Sequence, residues 1–185
     1  MLRSLAATIF ITAAAISGTA EASDASTSPL VRALFGKNPG NGKTSVCFTR
    51  LYTPAHLASH PQQNVRDMVI LMTAAKDADA GATYGTRVGV HFRKLGLAFE
   101  TGGGCSLGEE GKAVNCSPEC DGGSMSIVLK DAQTIYLKIP DGARLWRGGS
   151  DENNPVNARF GSDDKIFKLT RTSDTRQCLS VLGKE

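Results

Sequence analysis

The feature that most limits the fold is a series of short segments in which apolar and polar residues alternate, with only brief polar turns between them. In residues 87–93, Val88, Val90 and Phe92 share one face; in 124–130, Met125, Ile127 and Leu129 do; in 134–139, Ile135, Leu137 and Ile139 do. A period of two sends successive side chains to opposite faces of a strand, whereas a helix repeats every 3.6 residues. Further strands are expected at 46–52, 96–101, 143–146, 166–171 and 178–182. Residues 65–74 are apolar without clean alternation; β-branched Val69 and Ile70, and polar flanks, favour a strand there over a helix. Asp131, Ala132 and Gln133 form a connection short enough for a hairpin. The prolines at 54 and 61 bound one or two helical turns, and a further turn is readable at 30–35. No long helical pattern separates the strands, which argues against βαβ units. The expected class is all-β: a single antiparallel β-barrel or sandwich of about 8–10 strands with a short helical turn. The strands are short and lack the aromatic girdles of an outer-membrane barrel.

The N-terminus has the three zones of a secretory signal peptide. Arg3 supplies a positive start, residues 5–16 are apolar, and Ala20 and Ala22 form an A-x-A cleavage pattern. The apolar run is too short to cross a bilayer, which takes about 20 residues. The expected organisation is therefore 1–22 signal peptide, 23–45 flexible leader and 46–185 β-barrel-like domain, with no membrane span after cleavage and a periplasmic or secreted location. The formal net charge of +3 is too mild to argue for a nucleic-acid partner.

Five cysteines, Cys47, Cys105, Cys116, Cys120 and Cys178, all follow that cleavage site. In an oxidising compartment they read as disulfides, and an odd number leaves one thiol over. The expected pairs are Cys47 with Cys178, and Cys105 with Cys116 or Cys120.

The motifs that carry chemistry weigh little. The stretch 36–44 lacks the glycine spacing of a phosphate loop and precedes a strand, not a helix. His56 and His60 stand four apart, a zinc-compatible spacing, but a third ligand is missing nearby. Cys105, Cys116, Cys120 and Asp121 have the chemistry of a zinc set, yet export favours disulfides. The oxygen-rich loop of Asp151, Glu152, Asn153, Asn154, Asn157, Asp163 and Asp164 lacks the order of a calcium-binding hand. No metal or cofactor is expected. No nucleophile motif is present, which weighs against an enzyme without deciding it, because triads assemble in space.

Two stretches, residues 52–63 (Tyr-Thr-Pro-Ala-His-Leu-Ala-Ser-His-Pro-Gln-Gln) and 116–123 (Cys-Ser-Pro-Glu-Cys-Asp-Gly-Gly), resemble segments of a family of exported bacterial proteins to which no activity is attached. The resemblance implies an envelope location and one β domain, and carries no functional residue with it. The functional expectation is a non-catalytic binding domain for a small ligand or an envelope protein, with Trp146, Tyr136, Phe92 and Phe99 as candidate ligand-lining residues. The alternatives are an interaction or inhibitor module acting through the loops at 102–104 or 150–157, and a hydrolase without a recognisable motif. A small barrel holds one ligand or simply packs its own side chains inside, and an internal cavity is what would distinguish them.

Overall fold

Alternating segments of this kind need both a partner on each edge and somewhere to bury one face, and a closed barrel supplies both. The computed structural model describes residues 28–37, 42–77, 81–118, 122–147 and 159–182. Within them the chain runs α1 (Pro29–Phe35), β1 (Gly42–Leu51), α2 (Pro54–Ser59), β2 (Val65–Asp77), β3 (Gly81–Phe92), β4 (Ala98–Leu107), β5 (Ala113–Ser117), β6 (Met125–Asp131), β7 (Thr134–Lys138), β8 (Ile166–Thr172) and α3 (Arg176–Val181). Each strand is antiparallel to the next, and β8 returns to β1 to close an eight-stranded barrel. The signal segment 1–22 and Cys120 lie outside the described residues.

The inward positions are those the alternation marks. Phe48, Met68, Ile70, Met72, Val88, Val90, Phe92, Phe99, Met125, Ile127, Ile135, Leu137, Phe167 and Leu169 are all buried in one core. β2 reads as a continuous apolar run because it is covered on both faces. Met68, Ile70 and Met72 point into the barrel, while Val69 and Leu71 are buried outside it, in a second cluster with Cys47, Cys178 and Leu182.

That second cluster explains one departure from expectation. Residues 178–182 are not a strand. Cys178 and Leu182 are buried and four apart while Leu179 is 44% exposed, the spacing of one helical face. α3 lies across the outside of β1 and β2, held by the Cys47–Cys178 disulfide. The second disulfide, Cys105–Cys116, joins residues directly opposite each other on β4 and β5. β5 was not among the expected strands; it completes the barrel between β4 and β6. Residues 143–146 contribute only isolated bridges, Ala143 to Gly123 and Trp146 to Glu100. Part of the segment read as a leader is built into the fold: α1 buries Leu30, Val31, Leu34 and Phe35, and β1 starts at Gly42. Each such side chain contributes about 1.5–3 kcal/mol of gross burial, enough to hold a short helix against the barrel.

Because the strands alternate in direction, their connections gather at two ends. One end collects the β2–β3, β4–β5 and β6–β7 turns and is capped by α1. Arg171 clamps it: its guanidinium lies 4.9 Å from the Phe48 ring and donates to the carbonyls of Ala33 in α1 and Ala132 in the β6–β7 turn. The opposite, open end collects α2 and the β3–β4, β5–β6 and β7–β8 connections. The glycines of β4 let backbones approach closely; a Cβ on Gly103 would lie 2.0 Å from the Ser117 carbonyl oxygen.

Candidate functional site

The four aromatic candidates do not converge. Phe92 and Phe99 meet edge to face inside the barrel at 5.6 Å, and Phe160 continues the contact to Phe167. Tyr136 falls between the inward Ile135 and Leu137, so it lies on the outer face, where the Lys130 ammonium stands 5.9 Å from its ring. Trp146 is 41% exposed near the open end. Buried side chains pack on one another inside the barrel, and two grooves open outward among the described residues.

At the open end, α2 begins with Thr53, whose side chain accepts from the His56 amide, followed by Pro54 in the first turn. The spacing of Tyr52, His56 and His60 stacks three rings, with centroids 4.6 and 4.1 Å apart, and the Arg50 guanidinium lies over the Tyr52 ring at 4.8 Å. Burial raises the Tyr52 phenol above its ordinary pKa, against the opposing pull of Arg50. His60 Nδ1 is 2.9 Å from the His56 carbonyl, which can only accept, so that nitrogen carries the proton. Gln63 Nε2 donates to the Val65 carbonyl, so Gln63 Oε1 accepts from His56 Nε2. Stacked imidazoles hold their remaining lone pairs in near-parallel planes, a poor arrangement for a shared metal ion. Among the described residues no group of three or more His, Cys, Asp or Glu side chains is placed to hold a metal ion.

The parts of a hydrolytic site are present but apart. His91 Nδ1 meets Asp67 Oδ1 at 2.5 Å on the outer face of β2 and β3. Among the described residues no hydroxyl is hydrogen-bonded to that imidazole. Ser59 is beside His60, but its hydroxyl donates to the His56 carbonyl and faces a nitrogen that is itself a donor, so no base activates it.

Beside α2 lies an open groove of about 470 Å³. Leu57, Ala58, Pro61, Phe92 and Leu95 form the apolar part of its lining, and Gln63, Asn64, Arg93, Lys94 and Arg159 the polar and charged part. Its walls are tied together. Arg93 Nη1 donates to the carbonyls of Leu57, His60 and Gln63 at 3.1, 3.5 and 3.3 Å, fixing the β3 end to the α2 connection. Asp164, fully buried, accepts from the amides of Gly161, Asn64 and Val65, joining the β7–β8 connection to the start of β2. Burial pushes the Asp164 carboxyl above its usual range, although those amides pull it down. The Gln62 backbone amide donates to Asp163, and its side-chain oxygen accepts from the Ser162 hydroxyl.

Of the candidate ligand-lining residues only Phe92 lines this groove, together with Leu57, Ala58, Pro61 and Gln63 from the stretch 52–63. Leu57 and Leu95 carry no signal that separates them from core residues, and Asp164 is marked only as one oxygen donor in a polar loop. Cys47, Cys178, Cys105 and Cys116 are spent on disulfides; Asp121 and residues 151–157 lie outside the described residues. Comparison of the chain with protein-family models, curated proteins and solved structures finds no match.

Proposed function

We propose that this chain is an exported, non-catalytic binding domain that seats a small ligand with both apolar and polar groups in the groove beside α2. One observation carries the reading: buried side chains pack on one another inside the barrel, while the α2 groove is open and offers both apolar and polar side chains. Ligand sites are usually concave, largely preformed and about 300–1,000 Å³ in size, and the carbonyl bonds of Arg93 and the amide bonds of Asp164 preform this one. Two disulfides support an oxidising compartment. Among the described residues no helix is long and apolar enough to cross a membrane.

The test is native mass spectrometry of the mature protein from its own exported fraction, against the denatured mass. The expected result is a discrete small-molecule increment that disappears in a folded Leu95→Glu variant. A bare native mass, or an increment that survives Leu95→Glu, overturns the groove reading; the bare mass favours an interaction module acting through the exposed loops.

A further inference from the structure

The fold places its two disulfides in different settings. Cys47 and Cys178 join β1 to α3, with both side chains fully buried and their Cα atoms 6.0 Å apart. Cys105 and Cys116 occupy facing positions on neighbouring strands. The ladder decides what kind of facing position this is. Gly108 donates to the Ala113 carbonyl where β4 turns into β5, so that pair is hydrogen-bonded. Hydrogen-bonded and non-hydrogen-bonded pairs alternate along an antiparallel ladder. Passing back through Leu107–Val114 and Ser106–Asn115 puts Cys105 and Cys116 at a narrow, non-hydrogen-bonded site, where Cα atoms stand about 4.5 Å apart. The observed separation is 4.1 Å. Disulfides usually span about 4.4–6.8 Å between Cα atoms, and those outside that range are more easily reduced. Strand pairing thus holds the Cys105–Cys116 bond short, whereas the Cys47–Cys178 bond sits at an ordinary span.

Access and mechanical role differ in the same sense. Cys105 is partly exposed, and Cys116, itself 1% exposed, borders an open groove of about 670 Å³ together with Met125 and Lys165. Cys47 and Cys178 are enclosed with Val69, Leu71 and Leu182. Exposed or strained disulfides are the ones that exchange readily, and buried relaxed ones resist. The first bond closes 11 residues across one hairpin, the second 131 residues across the barrel. β5 is five residues long and meets β4 and β6 through four register pairs each. Those ladders do not depend on the sulfur bridge, so its opening removes a tie from β5 and leaves the strand order in place.

We propose that Cys105–Cys116 is an exchange-active disulfide: a dithiol reductant opens it while Cys47–Cys178 stays closed, and its opening loosens β5 within an intact barrel. One thiolate of the reductant attacks Sγ of the partly exposed Cys105. The bond between the two sulfurs breaks, Cys116 leaves and takes up a proton, and a mixed disulfide joins Cys105 to the reductant. The second thiol of the reductant, once deprotonated, attacks that mixed disulfide, closes its own disulfide and releases Cys105, which is protonated in turn. The dithiol loses two electrons and the protein gains them. The inference stands apart from the α2 groove and does not rest on it.

The experiment equilibrates the folded mature protein in dithiothreitol buffers of graded reduced-to-oxidised ratio. Thiols already free are blocked with one alkylating reagent, those released are trapped with a second, and peptide mass spectrometry assigns each. Half-reduction of Cys105–Cys116 is expected at a ratio about tenfold or more below that of Cys47–Cys178, a difference of about 30 mV for a two-electron couple. In the protein reduced at that bond alone, amide hydrogen exchange is expected to quicken about tenfold or more in β5 while β2 and β3 keep their protection. A Cys105→Ser, Cys116→Ser variant is expected to fold and to show the same exchange pattern. Simultaneous release of both bonds, earlier release of Cys47–Cys178, a Cys105–Cys116 bond that survives the whole series, unchanged protection of β5, or a double variant that does not fold overturns the proposal.

Discussion

Asp164 shows how much a single buried carboxylate decides at the open end. Three backbone amides point at it, two of them from the start of β2, 100 residues or nearly so earlier in the chain. Asp164→Ala leaves those donors without an acceptor in a buried place, and orphaned donors cost about 1–3 kcal/mol each before relaxation. A loss of about 2–4 kcal/mol is expected in urea unfolding, with loosening of the α2 groove. The same residue sets a pH dependence. Burial raises its folded pKa above the ordinary 3.8, so the folded chain holds that proton more tightly than the unfolded chain. The associated stability is fully present below the unfolded value and is lost as pH rises through the folded one. Wild-type stability measured against Asp164→Asn is therefore expected to fall with rising pH in the window just above 3.8; a flat or rising difference contradicts the assignment. Gly161 belongs to the same knot, since a Cβ there would stand 1.8 Å from the Gln62 carbonyl oxygen. None of this was legible locally. Asp163 and Asp164 are adjacent and chemically identical in sequence, and what turns one inward is a strand start far away in the chain.

Among elements, legibility followed how far local periodicity agreed with burial. β3, β6 and β7 carry runs in which every second residue is apolar and buried, Val88, Val90 and Phe92, Met125 and Ile127, and Ile135 and Leu137, so the pattern identifies them. α3 failed the test because a short apolar run fits a strand and a helix turn equally; only the burial of Cys178 and Leu182 with Leu179 outside separates them. α1 was underestimated because its apolar face, Leu30, Val31, Leu34 and Phe35, is four residues inside an otherwise polar stretch. The barrel seam depends on these helices. β8 meets β1 through only three register pairs, Cys47–Thr172, Phe48–Arg171 and Thr49–Thr170. Two of those residues reach a helix, Cys47 from the outer face to α3 through its disulfide and Arg171 from the inner face, over Phe48, to Ala33 of α1. A loop of 131 residues is closed by that disulfide, so the Cys47→Ala, Cys178→Ala double variant is expected to lose about 2–4 kcal/mol, roughly 2–4 °C of Tm for each kcal/mol at this chain length. Calorimetry without reductant checks it, and an unchanged Tm would mean that Val69 and Leu71 alone hold α3.

For the molecule as a whole, strand patterning limits the answer to an antiparallel barrel or sandwich and stops there, because both bury one face of each strand. What the barrel does with its interior is a matter of volume, and volume is set by which side chains meet across it. Phe92, Phe99, Phe160 and Phe167 meet edge to face where a ligand-holding barrel would be open. This packed lumen is the premise of the groove reading and can be challenged directly. Phe167→Ala removes a ring that is 1% exposed, at a cost of about 3–5 kcal/mol. The space left is lined by apolar side chains, and such cavities stay dry and accept benzene or xenon. The variant is expected to bind benzene, with shifts in the resonances of Phe92 and Leu169, while the wild type does not respond. Should Phe167→Ala unfold, Leu137→Ala makes a smaller cavity in the same core and keeps the test. Benzene entering the wild-type lumen with comparable affinity would show that the interior already yields to a ligand, and would return the binding site to the barrel itself.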